Sequence, residues 1–94
     1  MLYQPSFSAP SVASEVKIPY PDEARRAGVE GTVTLSITID AEGRVVKASL
    51  VKGLGYGLDE AARNALLRFR FKPAVKNGEP VSTEMKYSYT FVLD

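Results

Sequence analysis

Eight residues from Thr32 to Ile39, reading TVTLSITI, alternate without a break between β-branched or aliphatic side chains and hydroxyls. Successive strand side chains point to opposite faces, so Val33, Leu35, Ile37 and Ile39 share one face and Thr32, Thr34, Ser36 and Thr38 the other. A chain with such a segment must build a sheet with one dry side. Asp40-Ala41-Glu42-Gly43 follows as a short polar loop whose glycine can take the positive φ of a hairpin, and Arg44 to Val51 resumes extended, β-branched character.

What covers the dry side is equally legible. After the flexible break Gly53-Leu54-Gly55-Tyr56-Gly57, Leu58, Ala61, Ala62, Ala65, Leu66 and Phe69 recur at spacings of three and four, one apolar stripe of a helix. Asp59, Glu60, Arg63, Asn64 and Arg68 lie opposite, and Asp59 and Arg63 have the favourable i,i+4 spacing. Pro73 bars the helix from passing Lys72. Asn77-Gly78 marks a tight turn, and Thr83 to Leu93 is a last strand with Met85, Tyr87, Tyr89, Phe91 and Leu93 on one face. Upstream, Tyr20 to Gly28 forms a helix of about two turns, with proline at its start, carboxylates leading, arginines trailing and glycine as the stop. Residues 1–17 show no useful period and carry two prolines among serines and alanines, which predicts a flexible linker before a domain at 18–94.

The elements predict an α+β fold: a three-stranded antiparallel sheet with one main helix on one face and a short N-terminal helix. A last strand reached through a helix runs parallel to the second strand. Placed beside the first, it is antiparallel to its neighbour and lies at the sheet edge.

Composition removes whole classes of function. There is no cysteine and no histidine, so thiolate catalysis, the usual zinc sites and the commonest general base near neutral pH are all missing, and no enzyme is expected. Twelve basic against eleven acidic residues give a net charge of +1, which does not point to nucleic acid. At 94 residues, 45% hydrophobic and 24% charged, the chain is one ordinary folded domain without a membrane span or a leader pattern.

Several blocks together resemble the TonB C-terminal family: YPDEARRAGVEGTVTLSITIDAEGRVV, then GLDEAARNALLRFRFKPA, then NGEPV before the aromatic strand. The likeness covers residues 20–93, in family order and spacing. Family members often carry tryptophan where this chain has Phe69, a conservative change for a core anchor. The resemblance implies the periplasmic domain of a protein anchored in the inner membrane, its anchor outside this chain, driven by an ExbB/ExbD-type motor. Such a domain binds the Ton box, a short extended peptide of outer-membrane transporters, and needs no cofactor or metal. A second reading is a TonB-like or TolA-like domain of another envelope-spanning machine, for motility or envelope integrity.

An exposed edge strand offers unpaired N–H and C=O groups to an incoming peptide. The expected rail is therefore Glu84, Met85, Lys86, Tyr87, Ser88, Tyr89, Thr90, Phe91 and Val92. About five ladder bonds at ~1 kcal/mol each fall short of the ~8 kcal/mol of micromolar affinity. Side-chain contacts must add to them, and the resemblance places these at Lys17, Ile18, Pro19, Tyr20 and Pro21, with Tyr20 as the exposed motif residue. The same exposed edge allows a strand-exchanged dimer as well as a monomer.

Other features have plainer accounts. Charges at Glu84 and Lys86 deter uncontrolled pairing. Tyr87 and Tyr89 on the helix-covered side are core rather than a base-stacking platform, and no RNA-binding motif accompanies them. The glycines at 53–57 lack the spacing and following lysine of a phosphate loop. Asp40 and Glu42 make a hairpin turn rather than a calcium loop. Arg25, Arg26, Arg68, Arg70 and Lys72 are scattered solvated charge.

Overall fold

The computed structural model describes residues 6–94, and Met1 to Pro5 of the expected linker lie outside them. The elements are β1 (Phe7–Ser8), β2 (Ser11–Ser14), α1 (Asp22–Ala27), β3 (Gly31–Ile39), β4 (Val45–Lys52), α2 (Leu58–Leu66), β5 (Arg70–Lys72), β6 (Ala74–Lys76), β7 (Glu79–Val81) and β8 (Thr83–Phe91). No helix among the described residues is long and apolar enough to cross a membrane.

The main sheet has the order β4-β3-β8 with both pairings antiparallel, so the last strand lies beside the first of the hairpin and forms the edge. The alternation in β3 does what its period demands: Val33, Leu35, Ile37 and Ile39 are all essentially inaccessible. Leu58, Ala62, Ala65 and Leu66 of α2 close over them, with Phe69 and Phe91 completing the core. The opposite face carries no helix among the described residues, and its hydroxyls pair across strands, Thr32 with Thr90 at 2.8 Å and Thr34 with Ser88 at 2.9 Å. α1 ends as its glycine predicts, on Gly28 at φ 68°.

Three expectations are corrected. The helix stops at Leu66 instead of running toward Pro73. Phe69 and Phe71 are buried while Arg70 and Lys72 are exposed, a period of two that a helix cannot satisfy, and β5 forms there. Residues 7–8 and 11–14, expected within the linker, pair as strands with β6 and β5 respectively. Their side chains are exposed, so main-chain bonding holds them and no hydrophobic period announces them. Finally, the Asp59 carboxylate does not serve Arg63; it accepts hydrogen bonds from the Leu54 and Gly55 N–H groups, at 2.8 and 3.1 Å, and ties the loop to the start of α2.

The β3–β4 turn joins the main sheet to the rest. Asp40 Oδ1 accepts from the N–H groups of Glu42 and Arg44, and Oδ2 pairs with Arg44 Nε at 2.9 Å. Gly43, at φ 85°, comes so close to β5 that the Phe71 N–H donates to its carbonyl at 2.8 Å. A Cβ there would lie 1.9 Å from the Phe71 carbonyl oxygen. At the far hairpin, Asn77 and Gly78 both take positive φ, the tight turn expected of that pair, linking β6 to β7.

Gly43→Ala should therefore cost roughly 3 kcal/mol or more, from backbone strain plus the clash. Gly78→Ala, where nothing lies within 4 Å, should cost only the left-handed conformation, about 1 kcal/mol. Urea denaturation of the two variants separates the terms. The main-chain bond from Arg44 first, then its side chain and the Glu42 N–H, hold the Asp40 carboxyl below its ordinary pKa. A depressed folded value means a contribution complete above the unfolded pKa, near ~4, and lost as pH falls through the folded one. Asp40→Asn should flatten the fall in urea midpoint on acidification below about pH 4.

Candidate functional site

β4 and β8 are the two outer strands of the main sheet, and they are not equivalent. The β3–β4 register shifts twice, leaving Val46 and Val51 as extra residues without a partner. Both are more than half exposed. Such bulges twist an edge and spoil it as a template. β8 pairs with β3 through nine consecutive positions, Gly31 with Phe91 to Ile39 with Thr83, without a shift. Its outer side carries no strand among the described residues. The Glu30 carboxylate accepts from the Leu93 N–H at 2.9 Å and fixes the end of the rail.

The inward side chains of β8 are half-buried at Met85, Tyr87 and Tyr89 and fully buried at Phe91, while Glu84, Lys86, Ser88 and Thr90 are exposed. Val92, counted within the expected rail, lies one residue past the strand end and is 64% exposed. Tyr87 packs edge-on against Phe69 at 5.8 Å, and Tyr89 edge-on against Phe91 at 4.8 Å. Beside them opens a cavity of about 420 Å³ lined by Glu15, Val16, Lys17, Ile18, Phe69, Tyr87 and Tyr89. Burial raises the pKa of the Tyr87 phenol, helped by the nearby Glu15 carboxylate and by Tyr89.

The structure thus brings Lys17 and Ile18 of the expected contact segment to the flank of β8, Lys17 exposed and Ile18 in the core. Pro19 is exposed and Pro21 half-buried at the cap of α1. Tyr20 is corrected: it is not an exposed motif residue. Its ring stands edge-on to Phe91 at 5.4 Å, its hydroxyl donates to the Val29 carbonyl, and the Arg25 guanidinium lies 5.2 Å from its ring centre. Desolvation raises the phenol pKa, Glu30 adds to the rise and Arg25 opposes it. Glu15 and Val16 were missed as neighbours of the strand. The signal was present: Val16, Ile18 and Tyr20 recur every second residue, and their burial follows that period.

The family described as Gram-negative bacterial TonB protein C-terminal matches residues 16–93, nearly the whole described chain. The chain belongs to the TonB C-terminal family. It is 34% identical over 84 residues to Protein TonB of Vibrio cholerae, covering 88% of this chain and 34% of that protein. It is also 34% identical over 76 residues to Protein TonB of Xanthomonas campestris, covering 80% of this chain and 34% of that protein. The solution NMR structure of the Pseudomonas aeruginosa TonB CTD superposes with a TM-score of 0.74 at 25% identity, covering 93% of this chain and 89% of that one. The chain spans about a third of the length of these TonB relatives. As a TonB C-terminal domain it is not an enzyme.

Because Tyr20 holds the segment to the end of β8, Tyr20→Phe should lower Tm by roughly 5 °C through the lost hydrogen bond. Tyr20→Ala, which also opens a gap against Phe91, should lower it at least twice as far. Thermal unfolding followed by circular dichroism gives both values.

Proposed function

We propose that this is the receptor-engaging domain of a TonB-type energy transducer, which takes the Ton box of an outer-membrane transporter as an added strand on β8. The observation that carries the reading is the contrast between the two edges. β8 is regular over nine positions and carries no outer strand among the described residues, whereas β4 is interrupted twice. A peptide laid along β8 satisfies alternate main-chain groups of the strand, and each exchange with water contributes about 1 kcal/mol net. The residues bearing the contact are Glu84 to Val92, flanked by Lys17 to Pro21.

In the full protein the domain lies in the periplasm, tethered through its N-terminal side to an inner-membrane anchor and an ExbB/ExbD-type motor. Force from that motor reaches the transporter through the ladder between β8 and the peptide. No covalent chemistry is needed; the domain has to hold its register while the transporter's plug is disturbed.

An NMR titration of the domain with Ton-box peptides from candidate transporters tests this. Amide shifts should concentrate in Glu84 to Val92 and around Lys17 to Tyr20, and Val45 to Lys52 should stay unmoved. Shifts along Val45 to Lys52 instead, or spectra unmoved by every peptide, would overturn the assignment.

A further inference from the structure

Residues 6–14 are attached to the domain differently from the chain that follows them. They lie in solvent, with Pro10 alone half-buried, and none of them enters the hydrophobic core. Two short ladders hold them: β1 joins β6 through Phe7–Lys76 and Ser8–Val75, and β2 joins β5 through Ser11, Val12 and Ser14, with a register shift between the last two. Beyond Glu15 the anchoring is by side chains instead. Ile18 sits in the core, and the Tyr20 hydroxyl donates to the Val29 carbonyl.

This strap is weak in its middle and clipped at its outer end. Both ladders follow one register, which sets Pro10 opposite Pro73, two residues with no N–H to donate. At the outer end the Asn77 side-chain oxygen accepts from the Ser6 N–H at 2.9 Å, and the Asn77 N–H donates to the Ser6 carbonyl at 2.9 Å. β1, β6 and β7 form a sheet of their own in which Ala74 is the one buried residue, so little apolar surface ties β1 to the body. The edge beneath the strap, from Arg70 to Lys76, is also fitted for exposure. Arg70, Lys72 and Lys76 are exposed charges and Pro73 interrupts the row of donors, features that keep an open edge from pairing with other strands. An edge that stayed covered would not need them.

Resting on the reading that load enters through the N-terminal side, we propose that residues 6–14 are a directional latch, which detaches from β5 and β6 under a backward pull and reseats afterwards while the body stays folded. The direction comes from the antiparallel pairing. The strap enters beside the Asn77–Gly78 turn and runs, already extended, toward Arg70. A pull outward past the turn is in line with the strap, stretches its bonds together and finds no slack. A pull directed back over the strap opens the bonds one at a time from the Asn77 clip, and releases nine residues, roughly 30 Å at ~3.3 Å each. Detachment stops where Val16 and Ile18 are held by packing.

Native-state hydrogen exchange and optical-tweezers pulling test this on the domain alone. The protected amides between Ser6 and Ser14 should exchange at least about a hundredfold faster than those of Val33 to Ile39, because their opening does not require the core to open. Asn77→Gly keeps the positive φ of the turn and deletes the side-chain acceptor of the clip; it should speed exchange at Ser6 to Ser8 about fivefold and leave β3 unchanged. For pulling, cysteines introduced into this cysteine-free chain carry the handles. Between Ser6→Cys and Lys76→Cys a reversible step of roughly 50 Å should precede unfolding, as the strap and the Arg70 to Lys76 arm swing end to end. Between Ser6→Cys and Val92→Cys that step should be missing, since Tyr20 packs on Phe91 and Val92 therefore lies at the other end of the extended segment, in line with the strap. Strap amides that exchange together with β3, a domain that yields in one unfolding step between Ser6 and Lys76, or the same step in both pulling directions would overturn the latch. The latch stands or falls on these readouts, whereas the transducer reading stands or falls on the peptide titration.

Discussion

β3 is the strand on which everything else leans, because it alone in the main sheet is paired along both edges while its inward side chains are wholly buried. Burying Val33, Leu35, Ile37 and Ile39 contributes about 1.5–3 kcal/mol each before chain entropy is charged against it. The same four residues fix the register of the sheet, since a one-residue slip would carry all of them into water. Once β3 is set, β8 and β4 have no freedom in which face they present. The helix α2 can only cover the side where the apolar groups stand.

The two outer strands then diverge through small local differences. In β4 the valines at 46 and 51 are inserted out of step, so the strand twists and its outer groups no longer form an even row. In β8 the hydroxyl pairs from Thr32 to Thr90 and from Thr34 to Ser88 lie across an unbroken register on the open face. The main sheet therefore has two edges, and only the β8 edge is regular. On the strand-addition proposal, function follows from which edge was left regular.

How much of this can be read without coordinates depends on what kind of force holds each element. β3, α2 and β8 are held by side-chain burial, which has a period, and their faces are legible in TVTLSITI, in the Leu58 to Leu66 stripe and in the aromatic alternation from Met85 to Phe91. β1 and β2 are held by main-chain bonds with their side chains in water, so Phe7–Ser8 and Ser11–Ser14 leave no periodic trace. The end of α2 is an intermediate case. The spacing of Phe69 continues the helix stripe, yet Phe69 and Phe71 together also satisfy a strand, and pairing of β5 with β2 and with the Gly43 carbonyl decides between them. Of the site, the edge itself was legible from topology. Its flank was only partly so, because Tyr20 is spent on Phe91 and the Val29 carbonyl, while Glu15 and Val16 sit in a segment whose composition reads as linker.

A regular exposed edge is also the feature that makes sheets associate without control, and an edge proposed to accept a strand cannot be blunted as β4 is. The chain separates the two requirements by face and by end. Glu84 and Lys86, at the N-terminal part of β8, put charges of both signs where a second identical edge would stack, and a random apolar strand finds no matching partner there. The apolar opportunity lies toward the other part of the strand, at Tyr87 and Tyr89, in a recess bounded by Val16 and Ile18 rather than on a flat surface. A recess rewards a side chain of the right size at one position only, whereas a flat apolar edge rewards any strand at every position. On the strand-addition proposal, apolar surface confined to one depression lets the strand stay open to a partner without being open to every apolar strand.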